Sequence, residues 1–212
     1  MLRTTCLLLV CAISVTHQSC SIGPQADPHG RAQAEDQHNY HEACVEGLRS
    51  QIRKEFEASL QYLLMGAYFA QDDVNLAGFT KMFFEHADEE RGHGIQFIEY
   101  LRHRGDEEIN LLGSDPILPI LGKNTWADGE EALRDALEME KIVSGSIKKL
   151  IDVCDNDAKQ DYHAADWLTG TFLEEQFQGQ RHLAGLINSL STFRRDHEHL
   201  ADWMFSNNLL SA

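Results

Sequence analysis

Apolar residues recur along this chain at steps of three and four, the mark of helices that bury one face. Over about residues 40–70 the buried line is Cys44, Leu48, Ile52, Glu55, Ser59, Tyr62 and Gly66. Over about 75–104 it is Phe79, Phe83, His86, Glu90, His93, Phe97 and Tyr100. A third helix, about 129–154, reads Leu133, Leu137, Glu140, Ser144, Ile147, Ile151 and Cys154. A fourth, about 160–190, can be drawn through Thr169, Phe172, Gln176, Gly179, Leu183, Leu186 and Leu190, although a line through Glu175 fits nearly as well. A short last helix over about 200–209 carries Trp203, Met204 and Phe205. Gly105 ends the second helix. Residues 106–128, which include Pro116 and Pro119, are more than adjacent antiparallel helices need. A crossover the length of the bundle would use them. The pattern predicts an all-α fold: a four-helix bundle with one long crossover and a short fifth helix.

The amino terminus breaks this pattern. Arg3 is followed by the apolar run from Cys6 to Val15, then by small and polar residues through Ser21. That order predicts a secretory signal peptide over residues 1–20, cleaved near 19–23, because the run is too short to span a bilayer. Residues 21–38 lack periodicity and read as a flexible arm. Residues 39–212 then form one domain, of ample length for a single core. Secretion implies an oxidising compartment, and removal of the signal leaves Cys44 and Cys154, an even pair. No Asn-x-Ser/Thr sequon is present, so N-glycosylation is not expected.

Charge narrows the partners. The chain carries 34 acidic against 18 basic residues, a formal charge of −16. Nucleic acid and anionic membrane surfaces are therefore poor partners, and cations are good ones.

The chemistry lies inside the buried lines. Each of the four long helices places a carboxylate or amide mid-line: Glu55, Glu90 with His93, Glu140, and Glu175 or Gln176. Buried carboxylates cost several kcal/mol unless paired, and no Lys or Arg shares these lines. Glu90 and His93 are three apart, so one helix face offers an oxygen and an imidazole to one point. A metal satisfies such a set, and oxygen-rich ligation with one imidazole suits iron or manganese better than structural zinc. In carboxylate-bridged two-metal bundles, two helices each give a Glu and the other two each give a Glu-x-x-His. Here the fourth helix lacks its His, since positions 178 and 179 are Gln and Gly. One metal position is thus weaker than the other, which suits a protein that passes iron on better than an oxygenase that keeps it.

Several motifs are similar to those of heavy-type ferritin subunits, from residue 39 to the carboxyl terminus. They are Asn39-Tyr40-His41, Glu55-Phe56-Glu57-Ala58-Ser59 with Tyr62-Leu63, Glu89-Glu90-Arg91-Gly92-His93, Glu138-Met139-Glu140-Lys141, Leu173-Glu174-Glu175-Gln176 and Leu200-Ala201-Asp202-Trp203-Met204-Phe205. The resemblance implies a ferritin-like fold and a ferroxidase centre with two irons. Glu55, Glu90 and His93 would hold the first. Glu90 would bridge to the second, held chiefly by Glu140 with Gln176 and Glu89 nearby. Tyr62 would stand beside the centre. The implied reaction is oxidation of Fe(II) by O₂, with Fe(III) stored as mineral inside a shell of about two dozen subunits, homo- or hetero-oligomeric with heavy- or light-type chains. The alternative is a non-catalytic subunit that only builds shell. That reading needs a broken ligand set, and no main ligand is missing.

Three departures stand out. Gly92 and Ile95 occupy positions where the family commonly has cavity-facing acids, which predicts weak mineral nucleation. Asp166 matches the family's three-fold channel aspartate, but Thr169 replaces the channel glutamate. The signal peptide resembles the secreted ferritins of invertebrates and predicts a secretory location and a partner chain that supplies nucleation. In such a bundle the first and third helices are antiparallel neighbours, so Cys44 and Cys154 meet at one end. An intrachain disulfide is expected there; free thiols or an intersubunit bond are the alternatives.

Overall fold

The computed structural model describes residues 42–106, 116–156, 160–197 and 200–211. The chain divides into two units, Met1–Gln33 and Ala34–Ala212, and the described residues all belong to the second. The expected signal peptide, its cleavage site, the arm and Asn39-Tyr40-His41 lie outside them. The expected helices form: α1 (Glu42–Phe69), α2 (Ala77–His103), α3 (Gly129–Cys154), α4 (Tyr162–Trp167), α5 (Glu174–Asp196) and α6 (Ala201–Ser211). The described residues contain no strand, and none of their helices is long and apolar enough to cross a membrane.

The buried lines of α1 and α2 pack as their periodicity predicts, and that of α3 does so except at half-buried Leu137 and Ile151, beside which Ala136, Met139, Val143 and Leu150 are buried. All seven line residues of α1 are buried, as are those of α2 except half-buried His86. Cross-helix contacts fix the directions. Ser59 Oγ on α1 donates to Ala87 O on α2 at 2.7 Å, whereas the later Gly66 abuts the earlier Phe84, so α1 and α2 are antiparallel. Ser146 Oγ on α3 donates to Gln51 Oε1 at 2.7 Å and Tyr62 Oη to the earlier Glu140, so α1 and α3 are antiparallel too.

The fourth rod departs from expectation. Instead of one α-helix over 160–190, α4 passes through a π-helical turn, Leu168–Leu173, before α5 continues to Asp196. Leu168 takes the core position and Thr169 is exposed. Thr169 Oγ1 bonds back to Ala165 O at 2.7 Å. Asp161 starts the rod: its side chain accepts from Ala164 N at 3.0 Å and from Arg104 Nη2 at 2.8 Å, tying the end of α2 to the start of α4.

Residues 116–128 run beside α1, as a crossover must. Ile120 N donates to Glu57 O at 3.1 Å, Gln61 Nε2 to Lys123 O at 2.6 Å, and Tyr68 Oη to Trp126 O at 2.5 Å. Asp128 then caps α3 through Glu131 N at 2.8 Å. The short α6 seats against α2 at Gly78, where a Cβ would lie 1.8 Å from Ser206 O. Only glycine permits that approach.

Cys44 and Cys154 are disulfide-bonded, with Cα atoms 4.8 Å apart and a sequence separation of 110. The bond ties the first turn of α1 to the last turn of α3. A loop of that length removes much denatured-state entropy, so replacing both cysteines by Ser should cost roughly 2–4 kcal/mol. Denaturant midpoints of parent and variant under oxidising conditions check this, and equal midpoints would contradict it.

Candidate metal centre

Four helices bring their mid-line polar residues to one layer of the core. Glu55 (α1), Glu90 and His93 (α2), Glu140 (α3) and Gln176 (α5) are all at most 6% exposed. One ligand atom each from Glu55, Glu90 and His93 falls within 4.8 Å of the others. Tyr62 Oη donates to Glu140 Oε1 at 2.5 Å, and Gln176 Nε2 donates to Glu140 Oε2 at 2.8 Å. Gln51 Nε2, one turn before Glu55, donates to Glu55 Oε1 at 2.8 Å. Two acceptors are left over: Glu55 Oε2 and Gln176 Oε1 are buried without a donor. A cation bound in this layer would satisfy both. The donor set, carboxylates and an amide with one imidazole, fits a hard or borderline divalent ion.

The electrostatics agree. Burial, then the facing Glu90, pushes the Glu55 carboxyl well above its usual range. Burial, then Glu140, does the same to Glu90. Burial and the adjacent Glu140 also raise the Tyr62 phenol, which therefore stays protonated and donates. Among the described residues no Lys or Arg forms an ion pair with these acids; His93, with Nδ1 3.4 Å from Glu90 Oε2, is their basic neighbour.

A second group opens to the surface. Glu89, His93 and Glu175 place ligand atoms within 4.8 Å of one another, with His93 Nε2 3.3 Å from Glu175 Oε2. Glu89 accepts from His86 Nδ1 at 3.1 Å, and that hydrogen bond is the main cause of its lowered pKa. These residues line a cleft of about 300 Å³ that leads from solvent to Glu90 and Glu140. Glu89 thus borders the buried layer and does not sit inside it. Asp166 lies elsewhere, exposed on α4, ten residues before Gln176.

Sequence reasoning assigned no role to His86 or His182 and offered Glu175 only as the alternative to Gln176; all three line the cleft. His86 stacks on Tyr62, ring centroids 5.1 Å apart. Its place on the α2 line was the available signal. Glu175 and His182 are seven apart on α5, a spacing that puts both on one face.

The raised carboxyls set a pH dependence. A carboxyl that titrates higher folded than unfolded contributes stability in acid, and that contribution is lost as pH rises through its folded pKa. Glu90→Gln removes the charge and keeps the shape. Without metal, the variant should be more stable than the parent at about pH 7–8, by roughly 1–3 kcal/mol, the usual cost of an unsatisfied buried group. The two should converge toward about pH 4, where the parent carboxyl is protonated. A parent more stable than the variant at neutral pH would contradict the burial argument.

The comparisons with known proteins point one way. A family model described as Ferritin-like domain matches residues 45–193. The chain is 46% identical over 169 residues to a ferritin heavy chain of Drosophila melanogaster, covering 79% of this chain and 82% of that one. It is 40% identical over 205 residues to a ferritin heavy chain of Trichoplusia ni, covering 96% and 93%. The crystal structure of Trichoplusia ni secreted ferritin superposes with a TM-score of 0.77 at 43% identity, over 84% of this chain and 93% of that one. A matching fold, a matching family model and similarity over most of the chain lead to one conclusion: this chain belongs to the ferritin family.

Proposed function

We propose that this chain is an iron-storage subunit that oxidises Fe(II) to Fe(III) with O₂ at a two-metal centre and deposits the product as ferric mineral inside a multimeric shell. The observation that carries this reading is the buried layer of Glu55, Glu90, His93, Glu140 and Gln176, with two acceptor atoms lacking donors. Iron is the substrate. Glu55, Glu90 and His93 would hold one ion, and Glu90, Glu140 and Gln176 the other, so that Glu90 is shared. Two ions side by side supply O₂ with two electrons together and spread the change in charge over the carboxylates. Glu89 stands at the mouth of the site and is proposed to guide ions in or out. Tyr62 holds Glu140 in place through its hydroxyl. Asp166 is proposed as a channel residue of the assembled shell.

The leader-like segment 1–20 and the likeness to a secreted ferritin support a secretory location. Residues 21–38 are proposed as an arm, and 39–212 as the working domain. The shell-only reading gains nothing from the geometry, because the expected core ligands converge. Glu90→Ala should slow rapid Fe(II) oxidation by more than the roughly 10–100-fold that loss of a mere outer-shell partner costs. Stopped-flow oxidation of parent and variant shells checks this, and equal rates would remove the assignment.

Weak nucleation follows from Gly92 and Ile95. A Cβ at Gly92 meets nothing within 4 Å, and Ile95 is 44% exposed, so both positions accept a carboxylate. Shells of this chain alone should oxidise iron promptly yet mineralise slowly, which is the proposed reason for a co-assembling partner chain. Gly92→Glu with Ile95→Glu should speed mineral growth without changing initial oxidation. Parent shells that mineralise as fast as the double variant would count against the idea.

A further inference from the structure

The fourth rod carries two buried lines that do not share one helical phase. Asp161 and Ala164, and Leu168 at the first position of the π-helical turn, form one buried line. Continued at 3.6 residues per turn, their line reaches Glu175 and leaves Gln176 roughly 90° off the core direction. Leu183, Ile187 and Leu190 are buried after the turn, and their line traced backwards reaches Gln176 and Phe172. The two lines differ by about one residue, roughly 100°. A π-helical turn absorbs one extra residue, and here it lies over Leu168–Leu173, between the two lines.

The consequence is chemical. Glu175 is held at the cleft edge, its side chain 46% exposed, while Gln176 points into the layer with Oε1 buried and unpartnered. A carboxylate at that point would add another negative charge to Glu55, Glu90 and Glu140, and would bind a cation harder than a neutral amide does. We propose that the Leu168–Leu173 turn is a one-residue phase spacer that lets the buried lines of α4 and α5 share one rod, so that Gln176, rather than Glu175, faces the centre. The inference rests on the two-metal reading above. Gln176 offers the ligand atom; the turn is a positioning element.

Zn(II) is redox-silent and probes the site without turnover. Calorimetric titration of the metal-free full shell should show two unequal Zn(II) affinities per subunit, both lost in Glu90→Ala. Gln176→Glu should tighten the weaker one on the order of tenfold or more, as added ligand charge does at cation sites. Glu175→Gln should leave it within about twofold. Deleting Gly170, whose Cβ position is open, should merge both lines into one α-helix. That shell should assemble, keep both affinities within about threefold, and melt no lower than the parent, because a glycine costs about 1 kcal/mol within a helix. The proposal is overturned if Glu175→Gln changes the weaker affinity as much as Gln176→Glu does. It is equally overturned if the deletion variant fails to assemble or loses the weaker affinity. Zn(II) binding that is insensitive to Glu90→Ala would instead defeat the two-metal reading itself.

Discussion

The constraint on which the rest depends is the burial of Glu55, Glu90 and Glu140 in one core layer, where none of them pairs with a Lys or Arg among the described residues. Two like charges about 4 Å apart repel by about 4 kcal/mol even at an effective dielectric of 20. A soft core would relieve such strain by opening to water. This one is held shut. Phe69, Phe79, Phe83 and Trp126 pack on one side of the layer, and Phe97, Tyr100, Trp167 and Phe172 on the other. The metal-free carboxyls consequently move toward their protonated forms. A divalent cation would do the same work better, and that coupling is the basis of the proposed function.

The frame fixes the layer from both ends. The Cys44–Cys154 bond and the Arg104–Asp161 pair clamp the end remote from the short helix. At the other end Arg194 joins α5 to Asp128 at the start of α3 and to Asp202 on α6, and Gly78 lets α6 lie directly on α2. Between them the crossover braces α1 through Gln61 and Tyr68. The layer adjoins the cleft lined by His86, Glu89, Glu175 and His182. Acids at the mouth of the cleft, above an acidic layer, raise the local concentration of cations there.

Much of this was legible in the sequence, because α-helical periodicity and buried polarity are both local patterns. The lines of α1, α2 and α3 named Glu55, Glu90, His93 and Glu140 before any coordinates, and the proline-bearing 106–128 stretch announced the crossover. The ambiguity between Glu175 and Gln176 was the trace of a real feature: two phases in one rod, which no single straight helix reconciles. Thr169 was placed on the buried line for the same reason, since an α-helical count cannot see a π turn. The cleft was illegible for a different reason. His86, Glu175 and His182 sit half-out on two helices, and which half-exposed residues meet depends on helix rotation and not on period.

The central claim is that the layer holds two metal ions of unequal affinity around Glu90. Anomalous X-ray scattering from crystals soaked anaerobically with Fe(II) tests it most directly. The account predicts two peaks per subunit, separated by about 3.5–4 Å as in other two-metal sites. One would lie among Glu55, Glu90 and His93, and a weaker one among Glu90, Glu140 and Gln176. A single peak, or peaks confined to the cleft of Glu89 and Glu175 with none in the buried layer, would contradict it.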